Sequence, residues 1–197
     1  MMDEERSRAL SKGMAGLLRH ANAPGFTLDA EGFAGVEAVV AAINATSRPT
    51  GLGVSFDAGM LAEVVGGDPK GRFELSGDGR RVRAVSGHSV AVDLSLRPYA
   101  PGGPLWFGTV VDMVDRIVAE GMTGSAKLKV RLSDSLDAAM EVAIARGCGG
   151  PAVFEVDAQR LARDGWTFGL AANGEILVDR FGPGYATPCV MAPVPGR

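Results

Sequence analysis

Arginine and histidine side chains stand at the ends of several segments of this chain, where they could hold a phosphate group. Arg19 and His20 end an amphipathic segment, Arg72 opens an alternating segment, and Arg146 precedes Gly147 at the end of another. Guanidinium groups bind phosphate oxygens through paired hydrogen bonds and stay charged, so three of them favour a phosphorylated ligand. They can act on one ligand only if the segments that carry them fold together. Arg19 and His20 have a second interpretation as a solvated helix end, where cations complement the helix dipole.

The elements that must position these residues begin with three predicted helices. Their apolar residues fall at helical spacing: Leu10, Met14, Leu17 and Leu18; Val36, Val39, Val40 and Ile43; and Phe56, Met60, Leu61 and Val64. Residues 21–25 stop the first helix, and Ser55 is a candidate cap for the third. A β-hairpin follows, with alternating apolar residues on both sides of the turn at 77–79. Three helices and a hairpin predict a winged-helix-like lobe over residues 1–97.

Residues 97–104 are rich in Pro and Gly, which favours a connection between two domains. Beyond it, the pattern predicts strands at 105–107, 128–132, 152–156 and 176–178, and helices at 110–120 and 135–146. Ser133 and Asp134 are candidate caps for the second of these helices. The predicted fold class is therefore α+β, with a second α+β lobe over residues 98–197.

Composition excludes several classes of protein. The formal net charge of −3 does not fit a protein that binds long phosphate tracts, so any nucleic-acid contact is expected to be short and local. The two cysteines, Cys148 and Cys189, lie in no metal-binding or disulfide pattern, which favours a reducing, cytoplasmic setting. No segment resembles a signal peptide or a membrane span. We expect a cytoplasmic monomer with no membrane partner and no metal.

The cations Arg80, Arg81 and Arg83 lie on or near the predicted hairpin. They could follow an RNA backbone or form an ordinary solvated face. Asp68-Pro69-Lys70 and Asp164-Gly165-Trp166 are interpreted as turns. Both interpretations of the hairpin cations remain open from the sequence.

Several motifs together resemble the NAD-dependent RNA 2'-phosphotransferases. They are Leu18-Arg19-His20, the run from Lys70 to Ser76 containing Arg72, Asp78-Gly79, and the run from Arg83 to Ser89 that ends in Gly87-His88-Ser89. The resemblance extends from about residue 10 to about residue 177. It implies that Arg19, His20, Arg72 and Arg146 form the family's phosphate-binding tetrad in an active cleft between the lobes.

The resemblance also implies the reaction. In the family, an RNA 2'-phosphate attacks the anomeric carbon of the nicotinamide ribose of NAD and expels nicotinamide. A ribose hydroxyl then attacks that phosphate, which gives RNA with a free 2'-OH and ADP-ribose 1'',2''-cyclic phosphate. Arg72 and Arg146 are the residues expected to support this transesterification electrostatically.

The second lobe resembles the NAD-binding fold of ADP-ribosyltransferases, but it departs from the family pattern. Phe107 precedes Gly108-Thr109 where the family has histidine, and Lys129 and Arg131 replace two further histidines before Leu132-Ser133. Glu175 follows Asn173-Gly174 where the family has an aliphatic residue. The resemblance implies that NAD is bound by His88, Ser89, Phe107, Gly108, Thr109, Arg131, Ser133 and Asn173. Lys127, Lys129 and Arg131 are also expected to form a basic edge near the NAD pyrophosphate.

Three functions are compatible with these departures. The first is a working phosphotransferase in which aromatic packing from Phe107 and charge from Arg131 replace the histidine contacts. The second is an ADP-ribosyltransferase-like enzyme with another phosphorylated acceptor, in which Glu175 orients a ribose hydroxyl. The third is a non-catalytic binder of phosphorylated RNA ends or ADP-ribose.

Overall fold

The computed structural model describes residues 3–47, 55–123, 128–147 and 149–192, and shows a mixed α+β protein. The chain divides into two compact units, Met1–Ser95 and Leu96–Arg197. The six α-helices in the described residues are α1 Glu4–His20, α2 Val36–Ser47, α3 Ala58–Gly66, α4 Val114–Glu120, α5 Leu136–Ala145 and α6 Ala158–Arg163. The strands of the first unit are β1 Phe33–Gly35, β2 Phe73–Leu75 and β3 Arg81–Ala84. Those of the second unit are β4 Arg97–Tyr99, β5 Leu105–Val110, β6 Lys129–Leu132, β7 Pro151–Val156, β8 Phe168–Leu170, β9 Ile176–Asp179 and β10 Ala186–Met191.

The first unit packs α1, α2 and α3 together beside a three-stranded antiparallel sheet of order β1-β3-β2. The predicted apolar stripe of α1 is confirmed, because Leu10, Met14, Leu17 and Leu18 are all buried. The predicted hairpin is also confirmed as β2 and β3. Strand β1 was not predicted, and it adds a third strand at the free edge of β3.

The prediction that Ser55 caps the third helix was wrong. The N-cap of α3 is Asp57, whose side chain accepts a hydrogen bond from the Met60 backbone N–H at 2.8 Å. Phe56 lies before the helix, where its backbone N–H and C=O bond to the Asn44 side chain at 2.8 and 2.9 Å. The segment before α3 is therefore tied to α2.

The second unit contains two antiparallel sheets, with strand orders β10-β7-β5 and β4-β8-β9-β6. Apolar residues from both sheets form its main core cluster, which includes Phe154, Val156, Leu132 and Val178. Helix α5 packs against β5 and β7. It approaches β5 so closely that a Cβ on Gly108 would lie 2.0 Å from the Ala139 carbonyl oxygen.

The helix predicted at residues 110–120 begins later than expected. Val110 is the last residue of β5, Val111–Met113 form a 3-10 turn, and α4 begins at Val114. Pairing of β5 with β7 extends the strand to Val110, opposite Pro151, although the apolar pattern had assigned Val110 to the helix.

The remaining sequence predictions have mixed outcomes. The helix predicted at 135–146 is present as α5, but its N-cap is Ser135 instead of Ser133 or Asp134. Residues 97–104 were predicted to be an irregular connection, whereas Arg97–Tyr99 form strand β4. Strands β8 and β10 and helix α6 were not predicted. Cys148 lies outside the described residues, and Cys189 is a free thiol.

Candidate functional site

Helix α1 delivers Arg19 and His20 at its last two positions. Asp3 caps the N-terminus by accepting a hydrogen bond from the Arg6 backbone N–H at 2.8 Å. At the other end Ala21 adopts a left-handed conformation, and its N–H donates to the Leu17 carbonyl. Because the buried stripe fixes the rotation of the helix, His20 lies exposed at its end.

The loop Gly87-His88-Ser89 lies against this end of α1. The Ser89 backbone N–H donates to the Arg19 carbonyl at 2.9 Å, and Ser89 Oγ lies 2.8 Å from His20 Nδ1. Gly87 has a φ of +85°, and a Cβ there would lie 3.3 to 3.5 Å from the Arg19 side chain. The structure therefore brings Arg19, His20 and Ser89 together, and glycine at 87 leaves room for the Arg19 guanidinium.

His88 is in the core of the first unit and is only 5% exposed. Neither ring nitrogen has a hydrogen-bond partner within the described part of the chain. Burial lowers the pKa of His88 from 6.5 to about 4, and the nearby charges of Arg19, Arg83 and His20 act in the same direction. His88 is therefore a neutral imidazole at pH 7.

Arg72 is held by Asp68, which the sequence had assigned only to a turn. Arg72 Nε donates to both Asp68 oxygens at 3.2 and 3.1 Å, and Nη2 donates to Oδ1 at 2.9 Å. The backbone N–H groups of Arg72 and Lys70 also donate to this carboxylate, at 2.7 and 3.2 Å. The Asp68 side chain is 3% exposed, whereas that of Arg72 is 43% exposed. Asp68 thus fixes the edge of the guanidinium that carries Nε and Nη2.

The charge of Asp68 is favoured in the folded protein. Burial acts to raise its pKa, but hydrogen bonds from the Arg72 side chain and from the backbone of Arg72 and Lys70 lower it overall. Asp68 is consequently ionised at neutral pH. No periodic pattern in the sequence indicates this contact, because the chain turns between the two residues at Gly71, whose φ is +53°.

Two of the hairpin cations are paired with carboxylates. Arg81 Nη1 donates to Asp29 at 2.8 Å, and Arg83 Nε donates to Glu74. Both guanidinium groups also lie over the Phe33 ring, with Cζ 4.9 and 4.6 Å from its centroid. These contacts give Arg81 and Arg83 a structural role in the sheet of the first unit.

In the second unit, Arg146 is the C-cap of α5 and is exposed. Its Cζ lies 5.6 Å from the centroid of the Phe107 ring on β5. The structure thus brings together the two predicted site residues Phe107 and Arg146. Gly108 and Thr109, which follow Phe107, are buried in the packing of β5, and Thr109 is only 1% exposed.

The predicted basic edge is neutralised by carboxylates. Arg131 Nη1 donates to Glu175 at 2.7 Å, and Lys129 Nζ donates to Asp179 at 2.7 Å. Strand β6 does lie at the end of its sheet, but these two cations face acidic partners around β9. Lys127 lies outside the described residues.

Ser133 and Asn173 both lie beyond the end of the β6–β9 pair at which Leu132 faces Ile176. Ser133 exchanges two backbone hydrogen bonds with Trp106 at 2.8 and 2.9 Å, which links β6 to β5. The Asn173 side chain accepts a hydrogen bond from the Glu175 N–H at 3.2 Å in the turn between β8 and β9. Both residues are half-buried.

Within 3–47, 55–123, 128–147 and 149–192, no group of three or more His, Cys, Asp or Glu residues could hold a metal ion. In the same ranges, no helix is both long enough and apolar enough to cross a bilayer.

The protein is therefore a mixed α+β protein, and each of its two units carries arginine side chains of the kind that bind phosphate. The chain belongs to the RNA 2'-phosphotransferase, Tpt1 / KptA family, whose model matches residues 5–180. The family recognised from the motifs is therefore confirmed.

Relatives from several bacteria are named "Probable RNA 2'-phosphotransferase". One from Agrobacterium fabrum is 39% identical over 182 residues, which cover 92% of this chain and 94% of the relative. One from Burkholderia lata is 39% identical over 172 residues, covering 86% and 84% of the two chains. One from Streptomyces griseus is 36% identical over 192 residues, covering 93% and 97%. The similarity thus spans both units.

Proposed function

We propose that this protein removes a 2'-phosphate from RNA by transferring it to NAD. The products are RNA with a 2'-OH, ADP-ribose 1'',2''-cyclic phosphate and nicotinamide. Membership of the RNA 2'-phosphotransferase family supports this function. The structural observation that carries it is the grouping of Arg19, His20 and Ser89, which presents cationic and hydrogen-bonding groups at one helix end.

The acceptor phosphate is assigned to Arg19, His20, Arg72 and Arg146. Arginine suits this role because its planar fork matches two phosphate oxygens and cannot lose its charge. Arg72 is already oriented by Asp68, so little conformational freedom is lost when it binds a ligand. Arg72 and Arg146 stabilise the charge that develops on the phosphate, an effect of roughly 3–4 kcal/mol per preorganised donor.

NAD is the proposed co-substrate, and it supplies the anomeric carbon and the nicotinamide leaving group. The second unit offers a polar ligand the half-buried Ser133 and Asn173 and the exposed Arg131, whose charge is paired with that of Glu175. Phe107 contributes an aromatic face beside Arg146. Gly108, Thr109 and the neutral His88 are buried. We therefore assign them a structural role in holding the binding residues in place, without direct contact with NAD.

We also propose that the first unit is winged-helix-like and the second ADP-ribosyltransferase-like. Three helices with the β2–β3 hairpin support the first assignment, and two antiparallel sheets with α5 packed on one of them support the second. The alternative enzyme, in which Glu175 orients a ribose hydroxyl, is less favoured. The Glu175 carboxylate accepts a hydrogen bond from Arg131, and its side chain is only 19% exposed.

The test is to incubate the purified protein with NAD and a short RNA that carries one internal 2'-phosphate. Nicotinamide release is followed by chromatography, and the RNA and cyclic phosphate products by mass. We expect loss of the phosphate only when NAD is present. Release of inorganic phosphate without NAD, or no change in the RNA at all, would overturn the proposal.

Two variants make the test specific. Arg72→Ala should lower turnover at least ~100-fold, because a preorganised donor is lost. Arg116→Ala is the matched control, since Arg116 is an exposed arginine on α4 that pairs with Glu120 at 3.0 Å. Its activity should equal that of the unaltered protein.

A further inference from the structure

The Ser89 hydroxyl lies between two groups of the α1 terminus. Ser89 Oγ is 2.8 Å from His20 Nδ1 and 3.4 Å from the Arg19 carbonyl oxygen. The backbone N–H of Ser89 donates to that same carbonyl at 2.9 Å. The backbone hydrogen bond to Arg19 therefore fixes the position of Ser89, and the Ser89 hydroxyl contacts the His20 ring.

A hydroxyl can both donate and accept, so it suits either protonation state of the ring. When His20 is neutral and Nδ1 carries no proton, Ser89 donates to Nδ1 and the ring proton is on Nε2. When His20 is a cation, Nδ1–H donates to Oγ and the hydroxyl proton turns away from the ring. Nε2 carries a proton in both cases.

The other neutral tautomer is disfavoured by the same geometry. With the proton on Nδ1, the hydroxyl proton can no longer be donated to the ring, and the Arg19 carbonyl oxygen is 3.4 Å away, outside the usual range for an O–H donor. That carbonyl already accepts the Ser89 N–H. The hydroxyl proton therefore forms its more favourable hydrogen bond with Nδ1, the shorter of the two contacts.

We propose that Ser89 is a positioning residue that keeps Nε2 of His20 protonated as a hydrogen-bond donor to phosphate. The identity of the ligand rests on the proposed function, whereas the state of the ring does not. Ser89 acts through His20 in this proposal and does not itself touch the substrate.

The first measurement is the 15N NMR spectrum of the histidine rings in the full-length protein without ligand. The chain has 2 histidines, so the His20 signals are assigned by comparison with a single variant of His88. At a pH where His20 is neutral, we expect a protonated Nε2 and an unprotonated Nδ1 shifted by an accepted hydrogen bond. A protonated Nδ1 in the neutral ring would overturn the proposal.

Three variants separate positioning from folding. Ser89→Ala should move Nδ1 to the shift of a free imidazole nitrogen, and Ser89→Thr should restore it because threonine keeps the hydroxyl. Ser11→Ala, a hydroxyl removed elsewhere on α1, should leave both nitrogens unchanged. An unchanged Nδ1 shift in Ser89→Ala contradicts the proposal. If Ser89→Ala does not fold, the unaltered protein and Ser89→Thr decide the question through the same two shifts.

Inorganic phosphate then tests the consequence for binding. Ser89→Ala should bind phosphate roughly 5–10-fold more weakly than the unaltered protein, and Ser89→Thr within about 2-fold, as expected for one hydrogen bond. Equal phosphate affinity in Ser89→Ala would count against the positioning role. A protein that shows the tautomer signature but does not react with NAD and RNA would refute the proposed function alone. A working enzyme without the signature would refute the role of Ser89 alone.

Discussion

The Arg146 guanidinium carbon lies 5.6 Å from the centre of the Phe107 ring. An aromatic face attracts a cation at this distance, and the attraction is worth roughly 0.5–1 kcal/mol at an exposed site. Phe107 thus restrains an arginine that the proposed function uses for phosphate. Phe107, which the motif comparison predicts to stand in place of a histidine, therefore has Arg146 as a contact in this chain.

Replacing Phe107 with Leu removes the aromatic face and keeps an apolar side chain. Turnover of the 2'-phosphorylated RNA should then fall roughly 2–5-fold, because Arg146 is less restrained. Phe107→Tyr retains the ring and is the matched control, with turnover close to that of the unaltered protein. Single-turnover assays at saturating NAD measure the effect, and equal rates for Leu and Tyr would exclude it.

Replacing Asp68 with Asn keeps the size of the side chain but removes its charge. The charge-assisted bonds from Arg72 are weakened, so the free energy of unfolding should fall by roughly 1–3 kcal/mol. The hydrogen bonds from Arg72 and Lys70 hold the pKa of Asp68 in the folded protein below its ordinary value of 3.8. Its stabilising contribution is therefore present above pH 3.8 and is lost as the pH falls through the folded pKa. Urea unfolding at pH 7 and at pH 3 should therefore show a difference between the two proteins that shrinks at the lower pH. A difference that grows on acidification would contradict this account.

His88 should destabilise the protein in mild acid. Its folded pKa of about 4 is below the ordinary 6.5, so between these values the unfolded chain binds more protons. The contribution of neutral His88 to the free energy of unfolding is fully present above pH 6.5. The free energy of unfolding decreases as the pH falls toward 4, by roughly 2 kcal/mol between pH 7.5 and 5. NMR titration should place the His88 midpoint near 4, and His88→Gln should lose this part of the pH dependence. A midpoint near 6.5 would show that the ring is not buried in solution.

Replacing Glu175 with Gln removes the charge that faces Arg131. In this variant the exposed Arg131 no longer faces a carboxylate, so its positive charge is available to NAD. We expect NAD to bind roughly 2–5-fold more tightly, within the range for surface ion pairs. Arg131→Ala should weaken NAD binding, and the double variant should resemble Arg131→Ala. Calorimetric titration with NAD measures all three. Tighter NAD binding by Glu175→Gln in the absence of Arg131 would assign the effect to another residue.

Sequence periodicity predicted the elements that bury one face. The stripe of α1 and the alternation around β2 and β3 were both sufficient, because burial repeats at the period of the element. Strands β4 and β10 were missed, and both contain a proline, Pro98 and Pro188 respectively. Each lies at the end of its sheet, where a strand tolerates a residue without a backbone donor. At residues 97–104 proline was taken as a sign of irregular chain, whereas no element was predicted for the segment that contains Pro188.

The candidate site was predictable only as a set of residue types. The pairing of His20 with Ser89 joins positions 69 residues apart, and no local pattern in the chain indicates it. The Asp68–Arg72 contact is local but crosses a turn, so it has no helical or strand periodicity. Partners of the site residues depend on tertiary structure in both cases.

Gly108 has a mechanical consequence for the second unit. Since α5 rests on β5 with no side chain between the Gly108 backbone and Ala139, helix and strand are in direct backbone contact there. Any sliding of α5 along β5 would carry Arg146 away from Phe107. Because Gly108 has no side chain, the close contact with α5 fixes the position of the helix along β5. The position of Arg146 is thereby coupled to that of Phe107.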